Sequence, residues 1–238
     1  MRPSLRQSAN ERASQRIFNI IFRAPSLDEI VTTSTQSYQE VLTSLGAGGP
    51  MVYTFSTPAL DLAVISLDQR DSQFADQLLK LGYQPVESEI LDQQPPREGR
   101  EVFTVGYPSS TALLGQVTQD PARSQSSSAY FSLPVFTFGR VAMVREKLPF
   151  FWVDMSIDAG NSGGPVIQDG KLVGIVSKQA TTPVEGSPTL RTRIPFGIVV
   201  QSKYIFELLT IQSEKDAERE AMRSKSLKRD AAESGRAP

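Results

Sequence analysis

From Arg100 onward the chain is cut into short runs of β-branched and aromatic residues with turn residues between them. That punctuation limits the fold more than any other feature. In order, the runs are EVFTVGYP, TALLGQVTQ, PVFTFGRVAMV, FFWVDMSI, GPVIQDGKLVGIVS and IPFGIVV. Strands this short, at this spacing, predict an antiparallel barrel or sandwich. Within the fifth run, Gln168–Lys171 places Asp-Gly between two apolar stretches, the strongest short-range hairpin signal. After the last run, Tyr204, Ile205, Leu208 and Leu209 within Gln201–Gln212 predict an amphipathic closing helix.

The first hundred residues are less regular. Residues 1–14 are polar and read as disordered. RIFNIIFRA (Arg16–Ala24) reads as a strand. SLDEIVTTSTQSYQEVLTSL is a short helix or a loop, with Ser26 as a possible cap and a β-branched run against the helix. GAGGP (Gly46–Pro50) is a break. MVYTFSTPALDLAVISLD gives two strand-like runs around Pro58. In DSQFADQLLKLGY, Phe74, Leu78 and Leu81 fit one face of a short helix. Gln84–Gly99 is rich in proline and polar residues and reads as an inter-lobe connection. Residues 213–238 are strongly charged and read as a frayed helix or disordered tail.

Composition excludes several chemistries. The 238 residues contain no Cys and no His, and their formal net charge is −1. Disulfides and thiolate chemistry are therefore ruled out, and a zinc site is not expected. No cofactor is expected. The charge gives no bias toward nucleic acid or anionic membrane, and no apolar run reaches membrane-spanning length. The N-terminal MRPSLRQSANERASQRIF has basic residues but no apolar segment after them, so it is not a signal peptide. As given, the chain reads as cytoplasmic, unless a targeting segment precedes it.

Ser162 lies in GNSGGP among glycines, and three readings of this stretch compete. One is an ordinary glycine-rich turn. A second is a nucleophile elbow, since Gly160–Gly164 satisfies G-x-S-x-G. That elbow must lead into a helix, whereas here Gly-Gly-Pro and a hairpin follow. The third rests on a family resemblance.

GNSGGPVIQDGKLVGIVS resembles the nucleophile-bearing stretch of the chymotrypsin-like serine proteases. Asn161 and the lack of cysteine resemble the bacterial trypsin-like and HtrA-like branch, and Asn161 argues against a zymogen switch. ALDLAVISLD resembles the strand with the triad aspartate, here Asp61. EVFTVGYPSS resembles the opening of the second barrel, and IPFGIVVQSKYIFELL resembles the last strand and closing helix. The resemblance runs from Arg16 to Leu209. It implies an all-β fold, a chymotrypsin-like double β-barrel with a C-terminal helix. By the family pattern Ser162 is the nucleophile, Asp61 orients an imidazole, and the N–H groups of Gly160 and Ser162 form the oxyanion hole. The alternative for Asp61 is a plain strand-edge carboxylate in a turn. Ser156 falls at the pocket floor, and Ser177, Lys178 and Gln179 form a wall that pairs with an extended substrate. A neutral floor points to small or apolar side chains, although Asp158 and Lys178 are near in sequence.

The implied base is missing. No residue before Asp61 is His, and RIFNIIFRA resembles the strand that follows the histidine. The expectation is an incomplete first barrel at 15–98, a second barrel with closing helix at 99–212, and a charged tail at 213–238. Two explanations stand. Either the chain starts late and its parent is an active endopeptidase, or it is a pseudoprotease that binds peptides or a protein partner by strand addition. On either account the polypeptide ligand is the expected partner, and this chain alone is expected to be inactive. The oligomeric state is not legible.

Overall fold

The computed structural model describes residues 18–23, 40–45, 52–108 and 134–234. The chain divides into two compact units, 1–85 with 207–238, and 86–206. The division falls inside the proline-rich stretch read as a connection.

Unit 86–206 is a closed six-stranded barrel. Its strands are β5 (Glu101–Gly106), β6 (Val135–Met143), β7 (Phe150–Asp154), β8 (Pro165–Gln168), β9 (Lys171–Val184) and β10 (Ser187–Gln201). Their order around the barrel is β10-β7-β6-β5-β8-β9, and each neighbouring pair is antiparallel. Five of the six predicted runs thus form strands; TALLGQVTQ lies outside the described residues.

Strand alternation sends one face inward. On β5 the inward positions Val102, Thr104 and Gly106 are buried while Glu101, Phe103 and Val105 face out. The interior is filled by Val102, Val141, Phe151, Val153, Met155, Ile157, Val166, Val173, Val176 and Val199. β-branched residues suit this pleated, two-sided packing. The β8–β9 hairpin turns on Asp169 and Gly170, at φ +49° and +76°. Both central residues of a type I′ turn need positive φ, which explains why Asp-Gly stands there. Close to β6, the Glu98 carboxylate accepts the Val144 N–H at 2.7 Å and Arg145 Nη1 at 2.9 Å. The Val144 hydrogen bond, aided by the Arg145 charge, holds the Glu98 carboxyl below its ordinary value.

In the other unit the described strands form two two-stranded antiparallel sheets. β1 (Phe18–Arg23) pairs with β2 (Glu40–Leu45), and β3 (Tyr53–Phe55) with β4 (Ala63–Ile65). EVLTSL is thus a strand, where the sequence left helix or loop open. The helix expected near Asp71 is α1 (Leu67–Lys80), with Ser66 at its N-cap position but making no side-chain capping bond. Phe74 and Leu78 are buried as its spacing required.

The last helix, α2 (Lys203–Ser234), extends far past the expected closing helix. Its 207–234 portion belongs with unit 1–85 and is pinned there by long-range bonds. Thr54 Oγ1 donates to Gln212 Oε1 at 2.8 Å, Ser66 Oγ to Asp216 Oδ2 at 2.8 Å, and Lys215 Nζ to the Tyr53 carbonyl at 2.5 Å. The charged residues read as a frayed or disordered tail are helical as far as Ser234. Among the described residues no helix is long and apolar enough to cross a membrane.

Candidate active site

Past β7, Met155 and Ile157 are buried and Ser156 between them is exposed. The alternation fastens the chain to the barrel just before the serine turn. Gly160 opens that turn at φ +101°, and Gly163 closes it at φ +85°. Only glycine takes these conformations without strain. Space enforces the choice at Gly160, where an added Cβ would lie 2.0 Å from the Tyr107 carbonyl oxygen. The Tyr107 N–H also donates to the Gly160 carbonyl, at 3.1 Å. At Gly163 there is open space, so its constraint is conformational alone.

The turn's N–H groups sort into two sets. Asn161 donates to Asp158 O at 3.0 Å, Gly163 to Val176 O at 2.8 Å, and Gly164 to Asn161 O at 2.9 Å. The N–H groups of Gly160 and Ser162 donate to no acceptor among the described residues. Within Gly160–Gly164 these are the two family-pattern oxyanion donors; the Ala159 N–H just before them is likewise unbonded among the described residues. Asn161 lies beneath the turn, 1% exposed, with its side chain against Gly106. A Cβ at Gly106 would approach Asn161 Cα to 2.9 Å, so β5 needs glycine for the turn to sit this close.

Ser162 itself is exposed, and its hydroxyl donates to the Ser177 carbonyl at 2.9 Å. That carbonyl is available because of a β-bulge. Along β10, Ile198 pairs with Lys178 and the next residue, Val199, pairs with Val176. Ser177 is the extra residue, outside the ladder. An amide carbonyl is not a base at neutral pH, so this contact orients Ser162 without activating it.

Gln179, on the expected pocket wall, is half-buried and donates its side-chain amide to the Ile194 carbonyl on β10. Lys178 is exposed. Arg193 Nη1 lies 3.4 Å from Asp158 Oδ1. Asp158, whose charge left the pocket reading open, therefore has a cationic partner. Both partners are largely solvated, so the pair contributes at most about 1 kcal/mol to stability. Tyr107, Arg193 and Ile194 are site residues the sequence did not mark. Each acts through a strand neighbour far away in sequence, so no local motif carries it.

Asp61 lies in the other unit, in the turn joining β3 to β4. Ser56 N–H donates to Leu62 O at 3.0 Å, and Leu60 N–H to Thr57 O at 3.0 Å. Ser56 Oγ accepts the Leu62 N–H at 2.9 Å. In the closed loop Asp61 takes φ +55°, a left-handed conformation that Asp tolerates better than most residues. Its side chain is exposed. Among the described residues, no group of three or more His, Cys, Asp or Glu is placed to hold a metal ion.

Comparison with known proteins places this geometry in context. The family described as trypsin-like peptidase domain matches residues 22–175, a span that includes both the Asp61 and Ser162 turns. No curated protein matches. Among solved structures, the chain is similar to the inactive form of Rv3671c from M. tuberculosis H37Rv, a serine-to-alanine mutant. That likeness has 14% identity and a TM-score of 0.39, over 82% of this chain and 77% of that one.

Proposed function

The chain belongs to the trypsin-like peptidase domain family, and on that premise we propose that Ser162 is its acyl-accepting nucleophile, with the N–H groups of Gly160 and Ser162 as oxyanion donors. The family is one of peptidases, so the substrate class is a polypeptide. In the proposed step Ser162 Oγ bonds to a peptide carbonyl carbon, and the carbonyl oxygen takes the negative charge. Donors held in place before reaction stabilise that charge, each worth roughly 3–4 kcal/mol. The observation that carries the reading is the division of N–H groups in the turn. Within Gly160–Gly164 three are used by the fold, and the other two are those the chemistry requires; the Ala159 N–H just before them also makes no bond among the described residues.

The Ser162 proton needs an acceptor. In the family an imidazole takes it and an aspartate orients that imidazole, the role proposed for Asp61. None of the 238 residues is His. Loss of the base from such a triad costs about 10⁶ in kcat. We therefore assign this chain, by itself, peptide binding without useful turnover. The Ser177 bulge supports the binding half. Backbone groups released from the β10 ladder suit strand addition by an extended peptide, which also makes a non-catalytic binding module the second reading. With a neutral Ser156 and Asp158 paired to Arg193, the pocket favours small or apolar side chains.

Casein turnover and fluorophosphonate labelling, run on the chain and on Ser162→Ala, test the assignment. Neither protein is expected to cut casein or take the probe. Turnover or labelling that Ser162→Ala abolishes would overturn the inactive reading and leave the nucleophile standing.

A further inference from the structure

We propose that the outer face of β5 and β6 is a self-association surface, on which a second copy of this chain docks about a two-fold axis that runs parallel to the strands just outside that face. Among the described residues, the barrel core gives this outer face no folding reason to be apolar. Phe136 and Phe138 are 59% and 72% exposed, and with Phe103 they form a ring cluster. Centroids are 6.0 Å apart for Phe103–Phe136, 5.9 Å for Phe103–Phe138 and 6.4 Å for Phe136–Phe138. The barrel core is built from the opposite side of the same strands, by Val102 and Val141. Clustered exposed aromatics of this kind mark interaction sites, whereas scattered ones do not.

The rim decides the occupant. Glu101 and Arg140 pair at 3.3 Å, and beside them Arg100 and Asp169 pair at 3.1 Å. Balanced charges offer nothing to an anionic membrane or to nucleic acid. They do match a second copy. The register sets Glu101 opposite Arg140, Phe103 opposite Phe138, and Val105 opposite Phe136. A half-turn about an axis parallel to the strands, just outside this face and over the midline between them, lays β5 of one copy over β6 of the other. Phe103 then meets Phe138 twice, and Glu101 meets Arg140 twice. Such a contact is isologous and closes on itself, as two-fold interfaces do.

Sedimentation equilibrium or light scattering on the full chain, from low to high micromolar, tests the proposal. The expected result is a concentration-dependent species of twice the 26.1 kDa chain mass. Phe138→Glu is expected to weaken the dimer by about tenfold or more. Glu101→Arg and Arg140→Glu each set like charges across the axis and are expected to weaken it as well. The double swap is expected to restore it. All three positions are exposed, so far-UV circular dichroism should match wild type. A wild-type chain that stays monomeric overturns the proposal, whether the face is bare or covered by another segment of the chain. A dimer indifferent to Phe138→Glu, or one that the double swap fails to restore, overturns the assigned face and axis.

Discussion

The serine turn and the aspartate turn are both tight loops closed by backbone hydrogen bonds, yet their shapes have different origins. The serine turn is imposed by a closed barrel. Its donors reach Val176 on β9, and its glycines fit against the Tyr107 carbonyl and β5. The aspartate turn is held by its own residues, Ser56 to Leu62, between two three-residue strands, and Asp61 carries the left-handed backbone without being a glycine. One geometry is fixed by long-range register and the other by local closure. The first should therefore fail with the barrel, and the second should respond mainly to backbone preference.

Phe151→Ala gives the largest break in this contrast. The ring is fully buried in the barrel core, and its removal should cost about 3–5 kcal/mol in denaturant unfolding of the 86–206 unit. Peptide binding at the Ser162 turn should be lost in parallel. Binding retained where the variant's barrel has unfolded would mean that the turn does not depend on the barrel.

Gly160→Ala comes next. It meets both the positive φ and the 2.0 Å approach to Tyr107, and should destabilise by about 1–3 kcal/mol. A binding loss larger than this stability loss, read by titration calorimetry with the folded variant, would show that the N–H positions matter in their own right. Unaltered stability would contradict the geometry of the turn.

The opposite sign is expected at Asp61. Asp61→Gly relieves a left-handed residue whose side chain is exposed, and should stabilise by up to about 1 kcal/mol. Destabilisation would mean that the Asp61 carboxylate holds its turn through an interaction and is more than a loop residue.

The smallest effect is the pH dependence at Glu98. Its carboxyl is held below the ordinary 4.5, first by the Val144 N–H. A lowered carboxyl stabilises the fold above the unfolded value, and that contribution is lost as pH falls through the folded value. Unfolding midpoints should therefore fall on acidification below about 4.5, and Glu98→Gln should flatten that part of the profile. An unchanged slope would remove Glu98 from the account.

Legibility in the sequence followed the same division. Short runs between turn residues, with Asp169-Gly170, were enough to place the described barrel strands and the β8–β9 hairpin, because both signals are local; β2 was left open between helix and loop. The α1 start was placed late: Ser66, at the N-cap position, makes no capping bond and points its hydroxyl to Asp216, far away in sequence. The continuation of α2 was left open between a frayed helix and a disordered tail for a related reason. Its charged residues look solvated until Thr54, Ser66 and Tyr53 are brought against Gln212, Asp216 and Lys215. At the site, the glycines announced a turn. The Ser177 bulge, by contrast, depends on the β10 register, and the Arg193–Asp158 pair on the folding of the β9–β10 arm. No spacing within a single run encodes either.

Chemical rescue separates a missing base from a missing nucleophile at Ser162. If the chain holds the nucleophile and oxyanion donors and lacks only the base, added imidazole should supply it. Intact-mass analysis after exposure to an activated acyl ester should then show one acyl adduct on Ser162 that grows with imidazole and is absent in Ser162→Ala. An adduct that does not depend on imidazole, or none on Ser162 at any imidazole concentration, would contradict the account.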